Sequence, residues 1–395
     1  MKQSKYELLA PAGDFPSLIS AVEAGADAVY FGLKEFNMRD SAQNFDISDL
    51  DKISRICGNK VKKYLTLNTI IYDSELKQVE KIIKQVKGKI DAIICWDFSV
   101  ISLCKKYRTP FHISTQASVS NVESAKFYKK LGAERIVLAR ELNLAQIKKI
   151  SKIISIETFI HGAMCVSVSG RCFTSQFLQN RSANRGKCAH PCRRSYIVRD
   201  SDGYELKLEN SRVMSAKDLC ALPFIEKLKQ AGITAFKIEG RNRNPEYVSL
   251  VTRIYRRALD KKLTKKEVEE SIEELKKVYN RGFSSGFYIK LPTSDDFCSS
   301  EDGEQTESKE YIGKIEKFWP NIKVSHVKVH SGVIKVGEEV YLMHKDSGII
   351  RTKVSSMEIN NKSVNSAKKG EDVGMKFENN ADLKKGTEIY LIRKK

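Results

Sequence analysis

No apolar run in this 395-residue chain approaches the length of a membrane-crossing helix. Its first residues, MKQSKYELLAPAG, lack the apolar core of a secretory signal, so a cytosolic location is expected. No His-Glu-x-x-His zinc pair and no evident Ser–His–Asp arrangement are present, which leaves the commonest hydrolytic machineries without their residues. A reducing compartment also argues against disulfides for the nine cysteines. Cys57, Cys95 and Cys104 lie in or beside apolar runs and read as small buried hydrophobes. Cys298 sits in a polar segment without an assigned role. The remaining five, Cys165, Cys172, Cys188, Cys192 and Cys220, crowd into one window.

Charge is plentiful and lopsided, with 69 Lys+Arg against 49 Asp+Glu and a net of +20. Such an excess draws a protein to polyanions, of which nucleic acid is the commonest in the cytosol. A solvated, lysine-rich surface gives the same count.

Apolar residues make up 41% of the chain, enough for a sizeable core. Short apolar runs at Tyr6–Leu9, Ala28–Phe31, Tyr64–Leu67, Asp91–Cys95, Phe111–Ser114, Arg135–Leu138, Ile156–Ile160 and Ala235–Ile238 are predicted strands. Amphipathic stretches alternate with them, such as Glu75–Val86, and Glu246–Leu259 is the predicted final helix. Seven or eight such units predict an α/β fold, a TIM-like (β/α) barrel over residues 1–290. The cysteine-rich region 157–220 interrupts the alternation as an insertion on the barrel mouth. Pro292, Asp295, Asp296 and the run Glu301-Asp302-Gly303-Glu304 mark a linker at 291–309. Residues 310–395 change to period-two alternation with turns at Gly332, Gly337, Gly370 and Gly386, predicting a small all-β barrel domain. From Glu307 onward 18 basic residues face 12 acidic ones, which suits either RNA contact or plain support of the first domain.

Barrel enzymes carry reactive groups where strands end. Asn68, Asp97, Gln116, Arg140, Glu141, His161, Glu239 and Arg241 stand at such positions. Each alone reads as a helix cap or a loop ion pair, but their recurrence on six strands predicts a shared pocket. Asn68, Gln116, His161 and Glu239 are the candidate catalytic residues. Arg140 and Arg241 suit an anionic substrate, because guanidinium binds carboxylate or phosphate in two-pronged fashion.

The cysteines give the sharpest chemical signal. Thiolates favour zinc or iron–sulfur clusters. Cys188 and Cys192 would form one zinc knuckle, yet six residues separate Cys165 from Cys172. Irregular spacing over loops suits a [4Fe–4S] cluster with four thiolates around it; spacing alone leaves zinc open. Arg171, Arg181, Arg185, Lys187, Arg193 and Arg194 surround the window. They either line an RNA backbone, with Arg185 and Arg193 as substrate-binding candidates, or offset the charge of a thiolate-bound cluster.

The segments Glu157-Thr-Phe-Ile-His-Gly-Ala-Met-Cys165 and Ser169-Gly-Arg-Cys172-Phe-Thr-Ser175 resemble the signature of the collagenase-like peptidase family U32. Glu7-Leu-Leu-Ala-Pro-Ala-Gly-Asp14, Ser114-Thr-Gln116, Arg135-Ile-Val-Leu-Ala-Arg-Glu141, Asn184-Arg-Gly-Lys-Cys188 and Ser215-Ala-Lys-Asp-Leu-Cys220 agree with it. Length and the β-rich C-terminal part resemble the tRNA hydroxylation branch. The resemblance implies an oxygen-independent hydroxylase that makes 5-hydroxyuridine at the tRNA wobble position with a [4Fe–4S] cluster. It implies Cys165, Cys172, Cys188 and Cys220 as cluster ligands, with Cys192 a spare thiol or alternative ligand. Prephenate is implied as a metabolic requirement and a candidate co-substrate. Expected partners are tRNA, an electron donor of unspecified identity, and a second copy or paralogue of the chain. Peptide hydrolysis and hydroxylation of ribosomal RNA are the alternatives. The redox reading requires the four named sulfurs to converge.

Overall fold

The computed structural model describes residues 5–206, 214–300, 303–379 and 383–395. Met1–Ser4 of the start, residues 207–213 of the insertion, and Glu301 and Asp302 of the acidic run lie outside the described residues. The first seven strands are β1 (Glu7–Pro11), β2 (Ala28–Gly32), β3 (Lys62–Thr66), β4 (Ala92–Cys95), β5 (Phe111–Ile113), β6 (Arg135–Val137) and β7 (Ser155–Gly162). They pair in parallel in chain order. A short strand, β8 (Asp218–Cys220), then runs antiparallel to the mouth end of β7. The next, β9 (Ala235–Ile238), pairs in parallel with both β7 and β1 and closes the ring. The result is the expected TIM-like barrel of eight parallel strands.

Strands buried on both faces read as continuous apolar runs, and β2, with sequence AVYFG, is buried throughout. Helices cover the outside. The helix Phe15–Glu23 starts where the Asp14 side chain accepts the Ser17 N–H at 2.8 Å, satisfying a donor that the first turn leaves open. Asp97 does the same for Phe98–Tyr107, accepting from Ser99 N–H at 2.9 Å. That places Asp97 as a cap.

Glu246–Leu259 lies within the helix Pro245–Asp260, but it is not the last helix of the barrel domain. Lys265–Lys276 follows, with Thr264 and Glu267 forming a reciprocal cap. Only Ser271 and Leu275 of it are buried, so its apolar stripe is too thin to stand out among charged residues. The segment expected as a linker is tied down: Phe297 bridges to Ala216, and Cys298 is fully buried with its N–H on Ser215 O at 2.7 Å.

The second domain contains β10 (Glu307–Trp319), β11 (Val324–Val329), β12 (Glu339–His344), β13 (Gly348–Ile359), β14 (Asp372–Phe377) and β15 (Glu388–Lys394). They form an antiparallel ring in the order β12-β15-β10-β11-β14-β13, and β13 pairs back to β12. Ile315, Val327, Val340, Met375, Phe377 and Leu391 fill its interior. Ion pairs of Lys52 with Asp346 (2.6 Å) and Lys309 with Glu246 (2.7 Å) link it to the first barrel. No helix among the described residues is long and apolar enough to cross a membrane.

The lower interior of the first barrel is charged. Lys237 donates to Glu157 at 2.8 Å, and Arg135 pairs with Glu157 at 3.4 Å and with Glu7. Glu157 and Lys237 are buried, and burial pulls the Lys237 ammonium pKa down even with that carboxylate beside it. Two acids and two bases balance here, so removing one carboxylate strands positive charge inside the barrel. Glu157→Gln is expected to destabilise the fold by about 3–5 kcal/mol. The measurement is the urea midpoint, and an unaltered midpoint would contradict the role of this pair.

Candidate active site

Glu239, immediately after β9, forms the centre of the barrel mouth. Its Oε1 accepts from Arg39 Nε at 3.2 Å and Nη2 at 2.9 Å. Arg140 Nη2 stands 3.7 Å from its Oε2. Burial pushes this carboxyl upward, but the guanidinium groups of Arg39, Arg140 and Arg241 outweigh it and bring the pKa down to about 2. Gly162, with φ of +105°, leaves room for the Glu239 backbone; a Cβ there would sit 2.5 Å from its carbonyl oxygen.

Arg140 also donates Nη1 to the Ala163 carbonyl at 3.1 Å and lies 4.1 Å above the Phe159 ring. Arg241 donates Nη1 to Asn37 Oδ1 at 3.1 Å and to Thr66 Oγ1 at 3.0 Å. Burial, and then the nearby Arg39, lower its pKa to about 10. Asn68 Nδ2 donates to Ser114 Oγ at 3.3 Å and Gln116 Oε1 at 3.2 Å. The structure therefore gathers Glu239, Arg140, Arg241, Asn68 and Gln116 around one recess. Arg39 and Asn37 join them from the loop after β2, and sequence reasoning missed both. The polar run Asn37-Met-Arg39-Asp40 behind a strand was the available signal.

Above this recess opens a cavity of about 290 Å³. Cys165, Cys172, Cys188 and Cys192 all line it, together with Arg39, Gln116, Arg140 and Glu239. Three of the sulfurs accept the backbone N–H two residues ahead: Ser167 on Cys165 at 3.4 Å, Thr174 on Cys172 at 3.3 Å, and His190 on Cys188 at 3.4 Å. Burial raises the Cys172 thiol, but hydrogen bonds from Ser167 and Thr174 outweigh it and leave its pKa below the ordinary value. Cys192 is raised, by burial first, and the thiols of Cys165, Cys188 and Cys172 add to the shift. Among the described residues, no three His, Cys, Asp or Glu side chains converge tightly enough to hold one metal ion. The donor set, four thiols around a cavity with N–H groups aimed at sulfur, fits a multi-iron cluster, whose sulfurs take such hydrogen bonds.

Cys220 departs from the expected ligand set, so the four sulfurs named from the sequence do not all meet; Cys192, the alternative ligand, is the fourth thiol on the cavity. Cys220 is buried away from the cavity, with its sulfur 3.7 Å from the Tyr255 hydroxyl, and burial pushes its thiol up to about 11. β8 pairs it with His161 at the edge of β7, which aims both side chains at the helix Pro245–Asp260.

His161 likewise does not reach the mouth. Strict alternation along β7 would put it inside with Glu157 and Phe159. The register slips between Lys237 and Ile238 in the β7–β9 pairing, and past this bulge His161 faces outward. Its ring stacks among Tyr247, Tyr255 and Phe283, and its Nδ1 lies 3.3 Å from the Tyr255 hydroxyl. Arg185 is engaged by both oxygens of Glu75 and by the Ile70 carbonyl, so it fastens the insertion to the barrel. Arg193 lines the cavity but donates to the Ala216 carbonyl at 2.8 Å and to that of Met164. Both are anchors of the insertion in this structure.

A closed parallel barrel with charged side chains gathered at the ends of its strands, beside a cavity lined by thiols, is a barrel enzyme. Residues 13–297 match the model of peptidase family U32, and the chain belongs to that family. It is 39% identical to a collagenase of Porphyromonas gingivalis over 95% of both chains. It is 32% identical to tRNA hydroxylation protein P1 of Bacillus subtilis, covering 85% of this chain and 83% of that one. The 23S rRNA 5-hydroxycytidine C2501 synthase of Escherichia coli is 40% identical over 65% of this chain, which spans 39% of that longer protein.

The buried His161 makes folding sensitive to acid. Burial first, then Arg243, lower its pKa from 6.5 to about 3. Between those values the unfolded chain binds a proton that the folded one does not. Stability from this group is complete above pH 6.5 and falls as pH drops toward 3, by about 1.4 kcal/mol per unit. His161→Phe, which keeps a flat ring in the aromatic nest, should lose less stability on acidification than wild type in urea titrations from pH 7 to 4. Equal losses would contradict this.

Proposed function

We propose that this chain is an RNA hydroxylase. It converts the wobble uridine of tRNA to 5-hydroxyuridine without molecular oxygen: C5–H becomes C5–OH, a two-electron oxidation balanced by an oxygenated co-substrate that gives up one oxygen atom and is reduced in turn, and Cys165, Cys172, Cys188 and Cys192 hold a [4Fe–4S] cluster. The observation that carries this reading is that all four thiols line the same cavity as Glu239, Arg39 and Arg140. Bound there, the cluster supplies electron transfer next to the reacting base.

The remaining work belongs to the chain's own side chains. Arg39, Arg140 and Arg241 exceed the charge of Glu239 by two, so the mouth attracts a small polyacid. Prephenate, the co-substrate implied by the family resemblance, offers carboxylates of that kind. With a pKa of about 2, Glu239 is ionised at neutral pH. It therefore orients Arg39 and Arg140 and does not donate a proton. Asn68 and Gln116, already joined by a hydrogen bond, present amide edges at the recess where a base turned out of its stack would be read. The relatives that hydroxylate tRNA and ribosomal RNA support the reaction class, with ribosomal RNA as the alternative substrate.

Peptide hydrolysis is favoured by the relatives that carry protease names, the Porphyromonas gingivalis collagenase at 39% identity among them. It lacks support in the mouth, where His161, the natural base, is shut behind the barrel wall.

Two measurements test the proposal. Mass spectrometry of tRNA nucleosides from a deletion strain should show 5-hydroxyuridine lost, and full modification would refute the assignment. Anaerobically purified Cys192→Ser protein should lose most bound iron and sulfide, whereas Cys220→Ser should keep them. The opposite pattern would restore the ligand set implied by the family resemblance.

A further inference from the structure

The insertion that carries the thiols has an outer face the reaction does not explain. Residues 166–199 contain seven Arg and Lys and not one Asp or Glu. On this face Phe173 is 64% exposed and Phe177 84% exposed, fractions high enough that neither ring serves the core. Their ring centroids lie 6.3 Å apart. Between them in the chain, Thr174 and Ser175 line the thiol cavity, so the rings stand on its rim. Arg171, also exposed, donates to Ser118 Oγ at 3.0 Å and lies 5.9 Å from the centre of the Trp96 ring. Arg181, at the other end of the short helix, is exposed too.

We infer that Phe173 and Phe177 form a stacking platform for unpaired bases of single-stranded RNA flanking the modified nucleotide, with Arg171 and Arg181 holding the backbone. Exposed aromatic rings interleaved with cations are what a single strand requires, because every base has a face to stack and every linkage a charge. An apolar protein partner would use the rings equally well. It would gain nothing from the exposed Arg171 and Arg181 beside the rings, in a segment without an acid of its own, whereas a polyanion would. A base held on the rim is within a nucleotide or so of the cavity, which places its neighbour at the mouth. The inference rests on the RNA reading above and names the surface that reading leaves unassigned.

The test is binding of full-length protein to an unmodified anticodon stem–loop RNA, followed by fluorescence anisotropy at several salt concentrations. Alanine at both phenylalanines should weaken binding by on the order of tenfold or more, since each stacked base is worth about fivefold at the least and two are lost. The slope of affinity against salt should stay unchanged, because the rings carry no charge. Phe173→Trp with Phe177→Trp should bind as tightly as wild type. Arg171→Gln with Arg181→Gln should instead flatten the salt slope by about 1.4 to 1.8. If the alanine variant binds and modifies RNA like wild type, the platform is wrong while the hydroxylase reading stands. If the same variant loses self-association on a sizing column with RNA affinity intact, the face docks protein and the platform is equally wrong. Phenylalanine-dependent RNA binding by a protein that carries no iron, from a species whose deletion strain keeps its 5-hydroxyuridine, supports the platform and refutes the hydroxylase reading.

Discussion

β9 has no free edge: it pairs with β7 on one side and β1 on the other, and the mouth depends on that closure. Only a closed ring brings Glu239, at the end of the last strand, against Arg39 from the loop after the second and Arg140 from the sixth. The same closure seals Lys237 and Glu157 in the interior, where neither ion would be tolerable alone. Electrostatics at the mouth follows from burial: a carboxylate surrounded by guanidinium groups stays ionised, and the surplus of positive charge stays available to an anion.

The thiols depend on a second set of restraints. Glu141 accepts the Ser169 N–H at 2.9 Å, Asn184 accepts that of Cys172 at 2.9 Å, and Arg193 grips carbonyls on both flanks. These bonds seat an insertion with little regular structure on the barrel rim and leave its aromatic outer face to solvent. The thiol cavity and the charged recess thereby share one opening without any of the loops needing a core of its own.

The sequence was informative where periodicity governs. Ala235–Ile238 is a strand with the bounds its apolar run predicts, and the period-two alternation after residue 310 belongs to the antiparallel ring it predicts. It was uninformative where charge masks a thin apolar stripe, as in Lys265–Lys276. At the site, strand-end polarity located Glu239, Arg140, Arg241, Asn68 and Gln116, because the end of a barrel strand is the mouth whatever the loops do. His161 broke that rule through a single bulge, which no spacing argument detects. Arg39 escaped it by standing in mid-loop. Which of Cys192 and Cys220 faces the cavity was not legible either: only the pairing of β8 with β7 turns Cys220 toward Tyr255 and away from it.

The most direct test is anomalous diffraction at the iron edge from crystals of the full-length protein grown without oxygen. The account predicts one strong iron peak in the cavity, bonded by Cys165, Cys172, Cys188 and Cys192. Iron bonded through Cys220, or a cavity without iron in protein that is active on RNA, would contradict it.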